Sequence, residues 1–172
     1  MDEARPRRDA WHHAGMERIE GRLDGAGLRV ALVAARFNDL IVDRLVDGAL
    51  AALRAHGVHE NDLTVARVAG AVEIPVVAQA LADRDDVDAV VALGCVIRGA
   101  TGHYDHVCSM VASGVARAAL DANKPVVFGV LTTDTLEQAF DRAGGKLGNK
   151  GAEAAAVAIE TVHVLRAVRA KD

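Results

Sequence analysis

Three runs in the 172-residue chain are apolar at nearly every position: LRVALVAA (Leu28–Ala35), AVVALGCVI (Ala89–Ile97) and VVFGVL (Val126–Leu131). A strand with one wet face alternates apolar and polar residues, because successive side chains point to opposite sides. Runs without that alternation must be covered on both faces, as in a parallel sheet packed between helices. A more mixed run, LTVARV (Leu63–Val68), makes a fourth strand.

The intervening segments carry helical periodicity. NDLIVDRLVDGALAALRAHG puts Leu40, Ile41, Leu45, Ala49, Ala52 and Leu53 at helical spacing, with Asn38 or Asp39 to cap its start and Gly57 to end it. Pro75 suits the first turn of a short helix reaching Ala82. His103 to Asn123 reads as a long helix, and TTDTLEQAFDRAGG as a Thr/Asp cap with a short helix broken at Gly144 and Gly145. GNKG reads as a tight connection, and Ala152–Ala170 as a closing amphipathic helix. Right-handed crossovers then give a flavodoxin-like three-layer sandwich with a four-stranded parallel sheet. A single domain is expected over 16–172, behind a polar N-terminal arm, 1–15, that is expected to be disordered. Met16 is a second candidate start.

Composition narrows the function. Hydrophobic residues make up 51% of the chain, with 16 glycines, yet the only aromatic residues are Trp11, Phe37, Tyr104, Phe128 and Phe140. An Ala/Val/Leu core packs its elements closely, and the surplus of apolar residues predicts surface for partner subunits. A net charge of −4 and scarce rings argue against nucleic acid as a partner. No uncharged apolar run is long enough to span a membrane, and the N-terminal stretch lacks the apolar centre of a secretory signal. Cys95 and Cys108 have no metal-like spacing and read as buried thiols of a cytoplasmic protein. No His, Cys, Asp or Glu cluster has ligand spacing, so no metal is expected, nor any cofactor.

Ligands of such sheets sit beyond the carboxyl ends of the strands. The segments there are Arg36–Asn38, Ala69–Glu73, Arg98–His103 and Thr132–Thr135. AARFND after the first strand is not a dinucleotide fingerprint, and no Gly-rich loop ends in Lys and Ser or Thr. Asp39 is the only acid near the positions a phospho-accepting domain would need. Phe37 either stacks on a flat ring or plugs the sheet edge. Glu73 either accepts hydrogen bonds from a polyol or serves a helix start. The RGATGH turn offers backbone N–H groups and the Thr101 hydroxyl to an anion. His103, in the following first turn, is either a proton-transfer group or a solvated bystander. Arg142 and Lys150 either close on a phosphate or remain surface cations.

These residues, in this order, resemble lumazine synthase from about Ile19 to Val168. The matching strings are ARFN (Ala35–Asn38), GAVEIP (Gly70–Pro75), LGCVIRGATGHYDHV (Leu93–Val107), FGVLTTDTLEQAFDRAG (Phe128–Gly144) and GNKGAEAA (Gly148–Ala155). The resemblance implies condensation of 5-amino-6-(D-ribitylamino)uracil with 3,4-dihydroxy-2-butanone 4-phosphate, in riboflavin biosynthesis. It implies that Phe37 stacks on the uracil ring and that Ala71, Val72 and Glu73 hold the ribityl chain. Cys95, Val96 and Ile97 would meet the pyrimidine edge, and Ala100, Thr101 and Arg142 the phosphate, with Lys150 nearby. His103 would transfer protons, and Phe128 would close over the ring from a neighbouring subunit. Where the family usually has Pro, this chain has Ala69 before the GAxE turn and Gly102 before His103. Both changes loosen a turn without removing a functional group.

The resemblance also implies a pentamer, and in some members a 60-subunit shell. The segment around Ile19–Gly21 would extend a neighbour's sheet, and the short stretch Gly144–Asn149 is compatible with the shell. Two competing readings use the same scaffold: a non-catalytic lumazine- or flavin-binding protein and a structural shell protein.

Overall fold

The structure, a computed structural model, describes residues 15–170. The disordered arm expected over 1–15 therefore lies, Gly15 apart, outside the described residues. Four strands, β1 (Val30–Ala35), β2 (Leu63–Val68), β3 (Ala89–Ile97) and β4 (Val126–Thr133), form one sheet in the order β2-β1-β3-β4. Every neighbouring pair in it is parallel. The helices are α1 (Asp39–Ala55), α2 (Ile74–Ala82), α3 (His103–Ala122), α4 (Leu136–Arg142) and α5 (Lys150–Arg169).

The uninterrupted apolar runs find the double cover they require. Val30, Leu32 and Ala34 of β1, with Ala89, Val91, Leu93 and Cys95 of β3, pack under α1, α4 and α5. The alternate residues Ala31, Val33 and Ala35, with Val90, Ala92 and Val96, pack under α2 and α3. All six residues of β1 are buried, whereas the edge strand β2 buries only Val68. This is the expected flavodoxin-like three-layer sandwich.

Several boundaries differ from the sequence reading. β1 starts at Val30 rather than Leu28, because the Arg29 N–H is taken by the Asp88 carboxylate at 2.8 Å. β4 runs on to Thr133, since its polar end still pairs with Val96 and Ile97 of β3. The GNKG connection is part of a small antiparallel hairpin, β5 (Ala143–Gly145) with β6 (Gly148–Asn149). Helix α5 starts at Lys150, two residues early, because Asn149 caps it by accepting the Ala152 N–H at 3.1 Å. Cys108 is half-buried rather than buried. Around Ile19–Gly21 the chain forms no helix or strand, and Gly21 lies against Glu160 of α5.

Small residues set the layer spacing. A Cβ on Gly151, at the start of α5, would overlap the Leu45 carbonyl of α1. The two helices therefore approach as closely as backbone allows. Gly151→Ala should lower unfolding stability by about 1–3 kcal/mol, the usual cost of overpacking a tight contact. Urea unfolding measures it, and an unchanged midpoint would show that α1 and α5 have room to separate.

Candidate active site

The crevice lies where the strand order reverses. From β1 the chain goes to β2 on one side, and then to β3 on the other. The loops after those strands diverge around a cavity of about 310 Å³. Its lining comes from Phe37 and Asn38, Gly70–Glu73, Cys95–Ile97, Gly99, Thr101, His103, Tyr104 and Val107.

Each wall has a local cause. Beyond β1, the N–H groups of Arg36 and Phe37 donate to the carbonyls of Val68 and Ala69 at 2.8 and 3.0 Å. The backbone at Phe37 is thereby fixed while its ring stays 72% exposed, which a plug under the sheet edge would not be. Asn38 then turns the chain into α1 in the left-handed conformation, φ 59°, which Asn tolerates better than most residues. Its side chain does not cap α1, as the sequence suggested; its amide donates to the Cys95 carbonyl at 2.8 Å. That bond ties the end of β1 to the end of β3, directly across the crevice.

After β2, residues Ala71–Glu73 form one 3₁₀ turn, and a Glu73 carboxylate oxygen accepts the Gly70 N–H at 2.9 Å. Glu73 thus braces its own turn and also lines the cavity. After β3, burial pushes the Cys95 thiol up to about 11, so it stays protonated near neutral pH. The loop from Arg98 to Gly102 is exposed, and Thr101 Oγ1 accepts the His103 N–H at 3.4 Å. His103 stands exposed at the first turn of α3. Desolvation is the main cause that raises the pKa of the adjacent Tyr104.

The remaining expected residues lie elsewhere. Phe128, Arg142 and Lys150 line a second depression of about 470 Å³ along β4, together with residues of α5. The two depressions have no lining residue in common. In the second, Phe128 is 41% exposed, Arg142 donates to the Gln138 carbonyl at 3.0 Å, and Lys150 pairs with Glu153 at 2.6 Å. Ala100 is exposed on its loop and lines neither depression. Within one chain, Arg142 and Lys150 are therefore not part of the Thr101–His103 cavity.

Sequence reasoning missed Tyr104 and Val107 as lining residues and the cross-crevice bond of Asn38. The signal for the first two was a helical period: Tyr104 and Val107 fall one turn apart just after His103. Among the described residues no group of three or more His, Cys, Asp and Glu side chains is placed to hold a metal ion. No helix among them is long and apolar enough to cross a membrane.

The protein-family model described as 6,7-dimethyl-8-ribityllumazine synthase matches residues 27–166, which include both depressions.

The Asn38 brace can be measured directly. Asn38→Ala forces an ordinary residue into the left-handed region and leaves the Cys95 carbonyl without its donor, at a combined cost of about 1–3 kcal/mol. Asn38→Gly keeps the backbone free and should lose less. Chemical unfolding of both variants gives the order, and two variants as stable as wild type would contradict the brace.

Proposed function

Because the chain belongs to the 6,7-dimethyl-8-ribityllumazine synthase family, transferase enzymes of riboflavin biosynthesis, we propose that it joins 5-amino-6-(D-ribitylamino)uracil to 3,4-dihydroxy-2-butanone 4-phosphate, releasing phosphate and water. The observation that carries this reading is the division of the site into two complementary depressions. One offers a ring platform, a carboxylate and an imidazole; the other offers a second aromatic ring with two cations. A flat, polyol-bearing substrate suits the first. A phosphate needs cations, and these come from the second.

Phe37 stacks under the pyrimidine, while Cys95, Val96 and Ile97 present backbone groups to its edge. Ala71, Val72 and Glu73 hold the ribityl chain. Ala100 and Thr101 meet the phosphate on the loop before α3. Arg142 and Lys150 of a neighbouring subunit reach it from the other side, and that subunit's Phe128 covers the ring. The amine attacks the ketone carbonyl and the oxygen leaves as water. Loss of a carbon-bound proton then expels phosphate and leaves an enol, which becomes a ketone by proton transfer. The ribityl-bearing nitrogen attacks that carbonyl, and its oxygen leaves as a second water as the ring closes. His103 carries the protons between these steps, from its place in the first turn of α3 on the cavity wall.

Assembly is part of this reading. Phe128, Met110, Leu120 and Val76 are all more than a third exposed, an apolar surface suited to subunit contact. A pentamer, with Ile19–Gly21 extending a neighbour's sheet, brings the depressions together, and the short stretch Gly144–Asn149 is compatible with a 60-subunit shell. One domain, 16–172, carries both depressions. The protein works in the cytoplasm, where free thiols such as Cys95 and Cys108 persist.

Mixing the protein with both substrates and following lumazine absorbance tests the activity. A rate no higher than the uncatalysed background would favour a binding or shell protein instead. His103→Ala should slow turnover by about 10²-fold or more and leave residual catalysis from substrate alignment. Arg142→Ala should chiefly raise KM for the phosphate-bearing substrate. Wild-type kinetics in either variant would remove that residue from the mechanism.

A further inference from the structure

One side chain outside both depressions joins three segments at the rim of the crevice. Arg98 Nε donates to Asp134 Oδ1 at 2.8 Å, in the connection between β4 and α4. Its Nη1 lies 3.4 Å from each carboxylate oxygen of Asp105, in the first turn of α3. The guanidinium carbon sits 4.1 Å from the centre of the Tyr104 ring. The Arg98 backbone N–H donates to the Thr133 carbonyl at 2.9 Å. Among the described residues, no other ties the 98–102 loop, α3 and the end of β4 through so many of its own atoms.

The loop has little else to hold it. Residues 98–103 are all exposed, and a Cβ on either Gly99 or Gly102 would meet nothing within 4 Å. Gly102 supplies no side-chain cap to α3. Elsewhere on the rim, Phe37 is fixed by the β1–β2 ladder and Glu73 by its own turn. Thr101 and His103 have no comparable brace.

We infer that Arg98 is a positioning residue, whose guanidinium fixes the loop and first helical turn that present Thr101 and His103. It rests on the roles given to those two residues under the proposed function. An exposed ion pair alone contributes little to stability, so the effect of Arg98 lies in geometry rather than in folding. Misplacing a reacting group by about 1 Å costs up to about 10²-fold in rate. The planar fork can hydrogen-bond two carboxylates while stacking on a ring; a lysine ammonium cannot do both.

The geometry predicts a particular split in kinetics. Asp134, Asp105 and Tyr104 connect Arg98 to the phosphate and proton-transfer groups, whereas Phe37, Ala71 and Glu73 stand on segments it does not touch. Steady-state kinetics on full-length Arg98→Ala, Arg98→Lys, Asp134→Asn and His103→Ala tests it, with thermal unfolding and sedimentation as controls. In Arg98→Ala, KM for the phosphate-bearing substrate should rise about tenfold and kcat fall about tenfold. KM for the pyrimidine should stay within about twofold. Arg98→Lys should resemble Arg98→Ala, and Asp134→Asn should show the same split to a smaller degree. If Arg98→Ala does not fold, Asp134→Asn and Arg98→Lys carry the test.

Wild-type kinetics in these variants, equal effects on both KM values, or a loss of kcat alone matched by lost folded protein would each overturn the proposal. A slow His103→Ala beside a wild-type Arg98→Ala defeats only the role of Arg98. A wild-type His103→Ala defeats the reading of the site itself.

Discussion

The parallel pairing of β1 with β3 is the constraint on which the rest of the molecule depends. Val30 to Ala34 lie beside Ala89 to Leu93, and the chain reaches β2 on the other side of β1. The loops after β1 and β2 therefore diverge from the loop after β3. The crevice needs no special residue to open it, being a consequence of strand order. What the sequence adds is furniture: the Asn38 amide on the Cys95 carbonyl closes the floor between the two strand ends. Phe37, Glu73 and His103 stand around it.

The shortage of aromatic residues now has a structural meaning. The buried core of the described residues contains no Phe, Tyr or Trp and consists of aliphatic side chains, with Cys95. Such a core lets the helices approach the sheet and one another closely, as at Gly151 against Leu45 and Gly129 against Ala154. Among the described rings, Tyr104 and Phe140 pack half-buried against the core, and two others stay accessible. Phe37 and Phe128 are both substantially exposed, and each lines a different depression. In a monomeric protein that exposure would be a liability. In the shared site we propose, it keeps each ring accessible to a flat substrate.

Most of the fold was legible because burial on both faces forces continuous apolar runs. β2 and β3 match the reading residue for residue, and β4 only extends it. The hairpin of β5 and β6 was hidden because its strands are a few glycine-rich residues with no apolar pattern. The positions of Phe37, Glu73 and His103 at strand ends followed from topology alone. That Phe128 acts from a neighbouring subunit was implied by the resemblance alone. The separation of Arg142 and Lys150 from the cavity was not read, since periodicity assigns residues to elements but does not arrange those elements around a cavity. The role of the Asn38 amide was equally invisible, because Asn before a helix reads first as a cap. The bonds of Arg98 depend on three segments meeting in space, which no local pattern encodes.

The central claim is that one working site needs both depressions, from different subunits. It is tested most directly by co-assembling two impaired parents, His103→Ala and Arg142→Ala, in equal amounts and measuring lumazine formation with the phosphate-bearing substrate well below its KM. In a random mixture, about one site in four combines an intact His103 with an intact Arg142 from the adjacent subunit. Activity should rise to about one quarter of wild type, well above either parent. Activity no greater than the average of the two parents, in oligomers shown to be mixed, would place the whole site within one chain and contradict the account.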